Sequence, residues 1–330
     1  MMLASERGPQ SRVALVFPGQ GSQTVGMGRL LADSSPAAAR VFAMADDALG
    51  EPISALAWEG PAEQLDRTEN AQPALLATSI AYLEALRERW RGVHGAEPLP
   101  AYAAGHSMGQ YSALVAAGVL SLSNAIRLVR VRGRLMQASG KDQDGAMAAV
   151  LGLDDAQLPE LVDRASTHGT FAVANRNAPG QVVVSGVRSA IDAAAEIARS
   201  LGARKVVILP VSVAAHSPLM ARAAEGMRAA LTDVPFDDPD PPLLANADAQ
   251  PLTSGSSCKA ELVEHLTTGV DWVAAVKRMV ADGVTTFVEV GPGRVLTGLI
   301  KRIAPDVSSV AVDDPSSADQ LAVPFLPTPA

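Results

Sequence analysis

A single cysteine, Cys258, stands in 330 residues, so no disulfide and no cysteine-ligated zinc can form within the chain. The five histidines, His94, His106, His168, His216 and His265, are scattered and build no H-E-x-x-H, and no resident metal is expected. No apolar run reaches the length of a bilayer span, and the opening residues lack the basic-then-apolar order of a secretory signal. The expectation is a cytoplasmic protein with no membrane partner. Positive charge is also scarce: 27 Lys+Arg against 35 Asp+Glu leave a formal net charge of −8. That sign excludes broad nucleic-acid binding, though it permits a local basic patch for an acidic partner. Gly19-Gln20-Gly21 is followed by Ser22, Gln23 and Thr24, which fails the dinucleotide fingerprint, and no G-x-x-x-x-G-K-[ST] occurs.

What is present is a 48% hydrophobic chain, enough for one large domain or a large and a small one. Residues 1–11 read as a polar tail. Val13–Phe17 reads as a buried strand ended by Pro18 and Gly19. Helical patterns cover 36–49 and 72–91. A strand near Tyr102-Ala103-Ala104 leads into Gly105-His106-Ser107-Met108-Gly109, followed by an Ala-rich helix to about Gly118. A long helix over about 123–138 and a linker-like Ser139–Gly145 come next. Residues 146–211 then read strand (Met147–Leu151), helix (155–166), strand (171–174), turn, strand (Val182–Ser185), helix (188–201), strand (Val206–Leu209). That βαββαβ order is the ferredoxin-like split unit. A further strand, Thr286–Val290, runs into Gly291-Pro292-Gly293, and a Pro-containing tail follows about residue 312. No internal repeat is visible.

G-x-S-x-G between a strand and a helix puts a serine on a tight turn, with its hydroxyl at a helix N-terminus where backbone N–H groups can stabilise an oxyanion. The bland alternative is a Gly-rich turn with an incidental serine. Ser107 needs a base. His216, after the strand that ends near Pro210, is one candidate, and it reads equally as a satisfied surface histidine. The hydrolase chain order Ser…Asp…His offers a second arrangement, Ser107, Asp248 and His265. Around the 123–138 helix, Arg127, Arg130 and Arg134 share one face and read as solvated. Arg132 falls opposite, with Leu128, Val129, Leu135 and Met136. An inward arginine needs an anion: a buried carboxylate of the protein, or a carboxylate on a substrate.

Several motifs together resemble one family. Phe17-Pro18-Gly19-Gln20-Gly21-Ser22-Gln23, Gln72-Pro73-Ala74-Leu75, Gly105–Gly109, Arg132-Gly133-Arg134-Leu135-Met136-Gln137, Asn177-Ala178-Pro179-Gly180-Gln181, His216-Ser217 and Val290-Gly291-Pro292-Gly293 through Leu296-Thr297-Gly298 match nearly end to end. They are similar to malonyl-CoA:acyl-carrier-protein transacylases and the acyltransferase domains of polyketide synthases. The resemblance implies an α/β fold, a hydrolase-like large subdomain (12–142 and 212–312) with a parallel sheet and an inserted ferredoxin-like small subdomain (143–211), then a tail (313–330). It implies Ser107 as nucleophile, His216 as base, the N–H groups of Gln20 and Met108 as oxyanion hole, and Arg132 as a clamp on a malonyl-type carboxylate. Asn177 would help wall the acyl pocket. The reaction implied is ping-pong transfer from acyl-CoA to the phosphopantetheine thiol of an acyl carrier protein, with no cofactor, by a chain expected to be a monomer. A thioester hydrolase using the same serine, or a non-catalytic carrier-binding protein, are the other classes.

Three positions depart from the family pattern. Gln110 stands where glutamate is usual. Ala214 stands where malonyl-specific members carry phenylalanine, which suggests room for methyl- or ethylmalonyl groups. His265 stands where glutamine or asparagine is usual, a residue whose backbone carbonyl orients the catalytic histidine. Arg176, Arg188, Arg204 and Lys205 are the candidate docking cluster for an acidic carrier.

Overall fold

The structure, a computed structural model, describes residues 13–313 except 96, 143 and 212. The polar opening expected over 1–11, and the expected tail from 314 on, lie outside the described residues. Eleven strands are described: β1 Val13–Phe17, β2 Tyr102–Gly105, β3 Gly145–Leu151, β4 Phe171–Ala178, β5 Gln181–Val187, β6 Lys205–Ile208, β7 Leu243–Leu244, β8 Pro251–Leu252, β9 Val270–Asp271, β10 Thr286–Val290 and β11 Ser308–Val312. They form two sheets. The first has the order β11-β10-β1-β2-β7-β8, with every pairing parallel except the β7–β8 hairpin. β1 lies inside this sheet and all five of its residues are buried, as a parallel strand covered on both faces requires. The second has the order β6-β3-β5-β4-β9. Its first four strands are antiparallel neighbours, two helices (Leu158–Ser166 and Arg188–Ser200) pack against them, and β9 is added parallel to β4.

Two long helices, Thr68–His94 and Leu122–Asp142, pack closely against each other, and the first of them also meets β10. A Cβ on Gly133 would lie 2.6 Å from the Cα of Glu69, so only glycine permits this approach. The second helix runs on to Asp142, through the stretch read as a linker. Ser139 is buried there, and tertiary packing overrides the weak helix preference of Ser139 and Gly140. β4 likewise extends past its expected end. The polar residues Asn175, Arg176 and Asn177 are held in the strand by pairing with β5 across two register shifts and with β9.

The solvated face assigned to Arg127, Arg130 and Arg134 is corrected at Arg130, which is only 5% exposed. The cause lies in the neighbouring helix. Pro73 sits inside Thr68–His94 and has no N–H to give to the carbonyl four residues back, at Glu69. Arg130 Nη1 donates to that carbonyl at 2.9 Å, while Nη2 pairs with Glu51 at 3.0 Å. The buried arginine therefore caps a backbone acceptor that proline leaves uncovered. Arg130→Leu should lower unfolding free energy by about 1–3 kcal/mol in urea titrations. The loss should shrink in a Pro73→Ala background, where the N–H returns. Equal losses in both backgrounds would contradict this account.

Candidate active site

β1 and β2 are parallel neighbours in register, Phe17 opposite Gly105, so the loops that follow them leave the same carboxyl edge of the sheet side by side. His106 N–H donates to the Phe17 carbonyl at 3.1 Å. The chain then turns through Ser107 at φ 53° and enters the helix Gly109–Ala116. Both flanking glycines are steric necessities. A Cβ on Gly105 would lie 1.9 Å from the Gly109 carbonyl carbon, and one on Gly109 would lie 2.2 Å from the Phe17 oxygen. A left-handed serine costs energy, and the surroundings fix it: Ser107 N–H donates to Asn246 Oδ1 at 2.8 Å, and Asn246 N–H donates to Glu261 at 2.9 Å.

Ser107 Oγ lies 2.8 Å from His216 Nε2, and His216 Nδ1 donates to the His265 carbonyl at 2.7 Å. The carbonyl can only accept, so the proton sits on Nδ1 and Nε2 presents its lone pair to the serine hydroxyl. Burial, with the neighbouring His265 imidazole and Arg132 guanidinium, holds the His216 pKa well below its ordinary 6.5. The backbone N–H groups of Gln20 and Met108 have no hydrogen-bond acceptor among the described residues.

Arg132 is 1% exposed. Its Nη1 donates to Gln72 at 2.9 Å, and its Nη2 to Ser107 Oγ at 3.1 Å and His265 Nε2 at 3.3 Å, while Nε has no partner among the described residues. No described carboxylate lies within ion-pair reach of it, which answers the alternative of a structural salt bridge. A buried cation, held by neutral groups beside a serine hydroxyl, can receive an anion there.

The acyl transferase domain family matches residues 14–314. The chain belongs to that family. It is 43% identical over 310 residues to the malonyl CoA-acyl carrier protein transacylase of Bacillus subtilis, covering 94% of this chain and 96% of that one. The solved acyl carrier protein S-malonyltransferase of Vibrio cholerae superposes with a TM-score of 0.89 at 41% identity, over 94% of this chain and 100% of its own. A malonyl-transacylase solved in complex with its type II PKS acyl-carrier protein superposes at 0.88 with 39% identity, over 93% and 98%.

Within this acyl transferase, Ser107, His216, Arg132 and His265 form one hydrogen-bonded cluster. Asp248 does not join it: that side chain is exposed and caps its own turn at Gln250 N–H, whereas His265 Nδ1 faces Glu261. Asn177 stands beside the cluster, its Oδ1 accepting from His106 Nε2 at 2.8 Å, and His106 packs edge-on to Trp272. Gln110 is sealed behind the elbow. It accepts from Gly105 N–H and donates to the Leu244 carbonyl, and a carboxylate could not make the second bond. Ala214 is also sealed, its methyl facing Gly145 so closely that a Cβ there would come within 2.8 Å. In the candidate docking cluster, Arg176 is paired with Asp155 and Asp271, and Arg188 with Asp144, which leaves Arg204 and Lys205 as its less compensated part. Sequence reasoning assigned no role to Gln72, Asn246 or Glu261. Gln72 had a signal, a polar residue at the head of the apolar run Ala74-Leu75-Leu76. The other two had none.

Replacing Asn246 by leucine strands the Ser107 N–H. It should cost about 1–3 kcal/mol of stability and slow inactivation of Ser107 by a fluorophosphonate. Wild-type stability and labelling rate in this variant would contradict the role given to Asn246.

Proposed function

We propose that the protein transfers a malonyl group from coenzyme A to the phosphopantetheine thiol of an acyl carrier protein, through an ester on Ser107. The observation that carries this reading is Arg132: a buried guanidinium whose Nε–H has no partner among the described residues and whose Nη2 lies 3.1 Å from Ser107 Oγ. An acyl group whose far end is a carboxylate complements it, and the planar fork suits bidentate binding. The Bacillus subtilis relative and the solved transacylase–carrier complex support both the acyl donor and the acceptor.

In the first half-reaction His216 Nε2 takes the hydroxyl proton as Ser107 Oγ attacks the thioester carbonyl. The N–H groups of Gln20 and Met108 receive the oxyanion. The carbon–sulfur bond then breaks, and the proton passes from His216 to the departing CoA sulfur. In the second half the carrier's thiol gives its proton to His216, attacks the acyl-serine carbonyl and leaves with the acyl group, and the proton returns to Ser107. Proton and acyl transfers balance without a metal or redox group. Every site residue comes from one chain, so the scheme needs no second copy. Ala214 lies buried against Gly145, and the names of the malonyl transacylase relatives support malonyl as the preferred group. Arg204 and Lys205 remain the candidate contacts for an acidic carrier.

Intact-mass analysis after exposure to mixed malonyl-, methylmalonyl-, ethylmalonyl- and acetyl-CoA should show a malonyl adduct that Ser107→Ala abolishes. An acetyl adduct of equal yield, or release of free acid as fast as transfer to carrier protein, would count against the reading. Arg132→Ala should lower malonyl transfer by about 10- to 100-fold, the worth of a charge-assisted hydrogen bond. The base must be unprotonated, and its folded pKa lies below 6.5. Acylation should therefore hold its plateau as pH falls through 6.5 and decline only in more acid solution. A decline centred at or above 6.5 would reject His216 as the base.

A further inference from the structure

The side chain of His265 has a chemistry separate from that of its carbonyl. Arg132 can only donate, so His265 Nε2, 3.3 Å from Nη2, must offer a lone pair. The ring proton then belongs on Nδ1, which faces Glu261 Oε1 at 3.2 Å. The same carboxylate oxygen accepts the Asn246 N–H, and Asn246 in turn accepts from Ser107 N–H. The links from Arg132 to His265, from His265 to Glu261 and from Asn246 to Glu261 are buried, the one from Ser107 to Asn246 is partly buried, and Glu261 Oε2 has no hydrogen-bond partner among the described residues.

We infer that Glu261 and His265 act as a positioning pair that holds Arg132 as an anion receptor, so that the His265 imidazole helps select acyl groups bearing a free carboxylate. This rests on the malonyl-transfer reading above. A carboxylate placed directly on Arg132 would occupy the guanidinium and neutralise it, leaving nothing for the substrate. The imidazole accepts a single N–H and sets the negative charge one side chain further away. There Glu261 still favours the buried cation without covering its donor edge. The pair also couples two parts of the site. Glu261 anchors the elbow through Asn246 on one side and the clamp through His265 on the other, so nucleophile and receptor share one support.

Two measurements test this. In 15N-histidine-labelled wild-type protein, with the His265 signals assigned by their loss in His265→Gln, the proton should be found on Nδ1. Kinetics then compare His265→Leu and His265→Gln, both of which keep the main-chain carbonyl that orients His216. His265→Leu should reduce malonyl-CoA acylation by about tenfold or more, through KM, as expected for a lost hydrogen bond to a charged group. Inactivation of Ser107 by a neutral fluorophosphonate should change much less. The amide of His265→Gln can accept from Arg132 and donate to Glu261, and it should recover most of the loss. A proton on Nε2, wild-type malonyl acylation in His265→Leu, or parallel loss of both reactions would each overturn the inference while leaving the transfer reading intact. If wild-type enzyme forms no malonyl-serine, both fall together. Should His265→Leu fail to fold, the tautomer of the wild-type ring decides.

Discussion

A guanidinium kept out of water without a carboxylate beside it is expensive, and the architecture around the active site is organised by that cost. Arg132 is fully enclosed, and its partners are an amide, a hydroxyl and an imidazole. Each partner comes from a different part of the chain: Gln72 from the helix Thr68–His94, Ser107 from the turn after β2, His265 from the helix Gly255–Thr268. Packing three elements around one cation fixes their spacing, and that spacing brings the lone pair of His216 to the serine. The surroundings of the cation and the Ser107–His216 hydrogen bond thus depend on the same contacts.

The sheet supplies the other half of the arrangement. Parallel pairing of β1 with β2 sends two loops out of one edge, and glycines at 105 and 109 allow the backbones to come closer than any side chain would permit. The carboxylate of Glu289 at the end of β10 serves a related purpose. It accepts from Leu296 and Thr297 N–H and so ties down the helix Val295–Ile303. Gly291 beside it packs on Pro18 and Ser79, against the loop that carries Gln20. A motif near the end of the chain thereby shapes a loop near its start.

What could be read from sequence was what local geometry dictates. The elbow announces itself because a strained turn needs small neighbours, and Arg132 because a helix has a period that separates it from Arg127 and Arg134. The alternation in 146–211 was enough to order four strands of the second sheet. What escaped depends on distant partners. Arg130 is on the arginine-bearing face by angle and buried in fact, for a reason written at Pro73 on another helix. Glu261 matters only because His265 and Asn246 meet it, and no spacing in the chain signals that meeting. β9 is two residues long and has no pattern to detect.

Arg130 and Arg132 lie two positions apart, so they leave the helix Leu122–Asp142 roughly 200° from each other. One is fastened to the backbone of the neighbouring helix and the other reaches Ser107 Oγ. A rod gripped on opposite sides cannot roll. The helix is therefore locked in azimuth by a fastening that touches nothing chemical, and the aim of the cation is set from behind. Proline, usually the residue that breaks helices, here creates the acceptor that keeps its neighbour from turning.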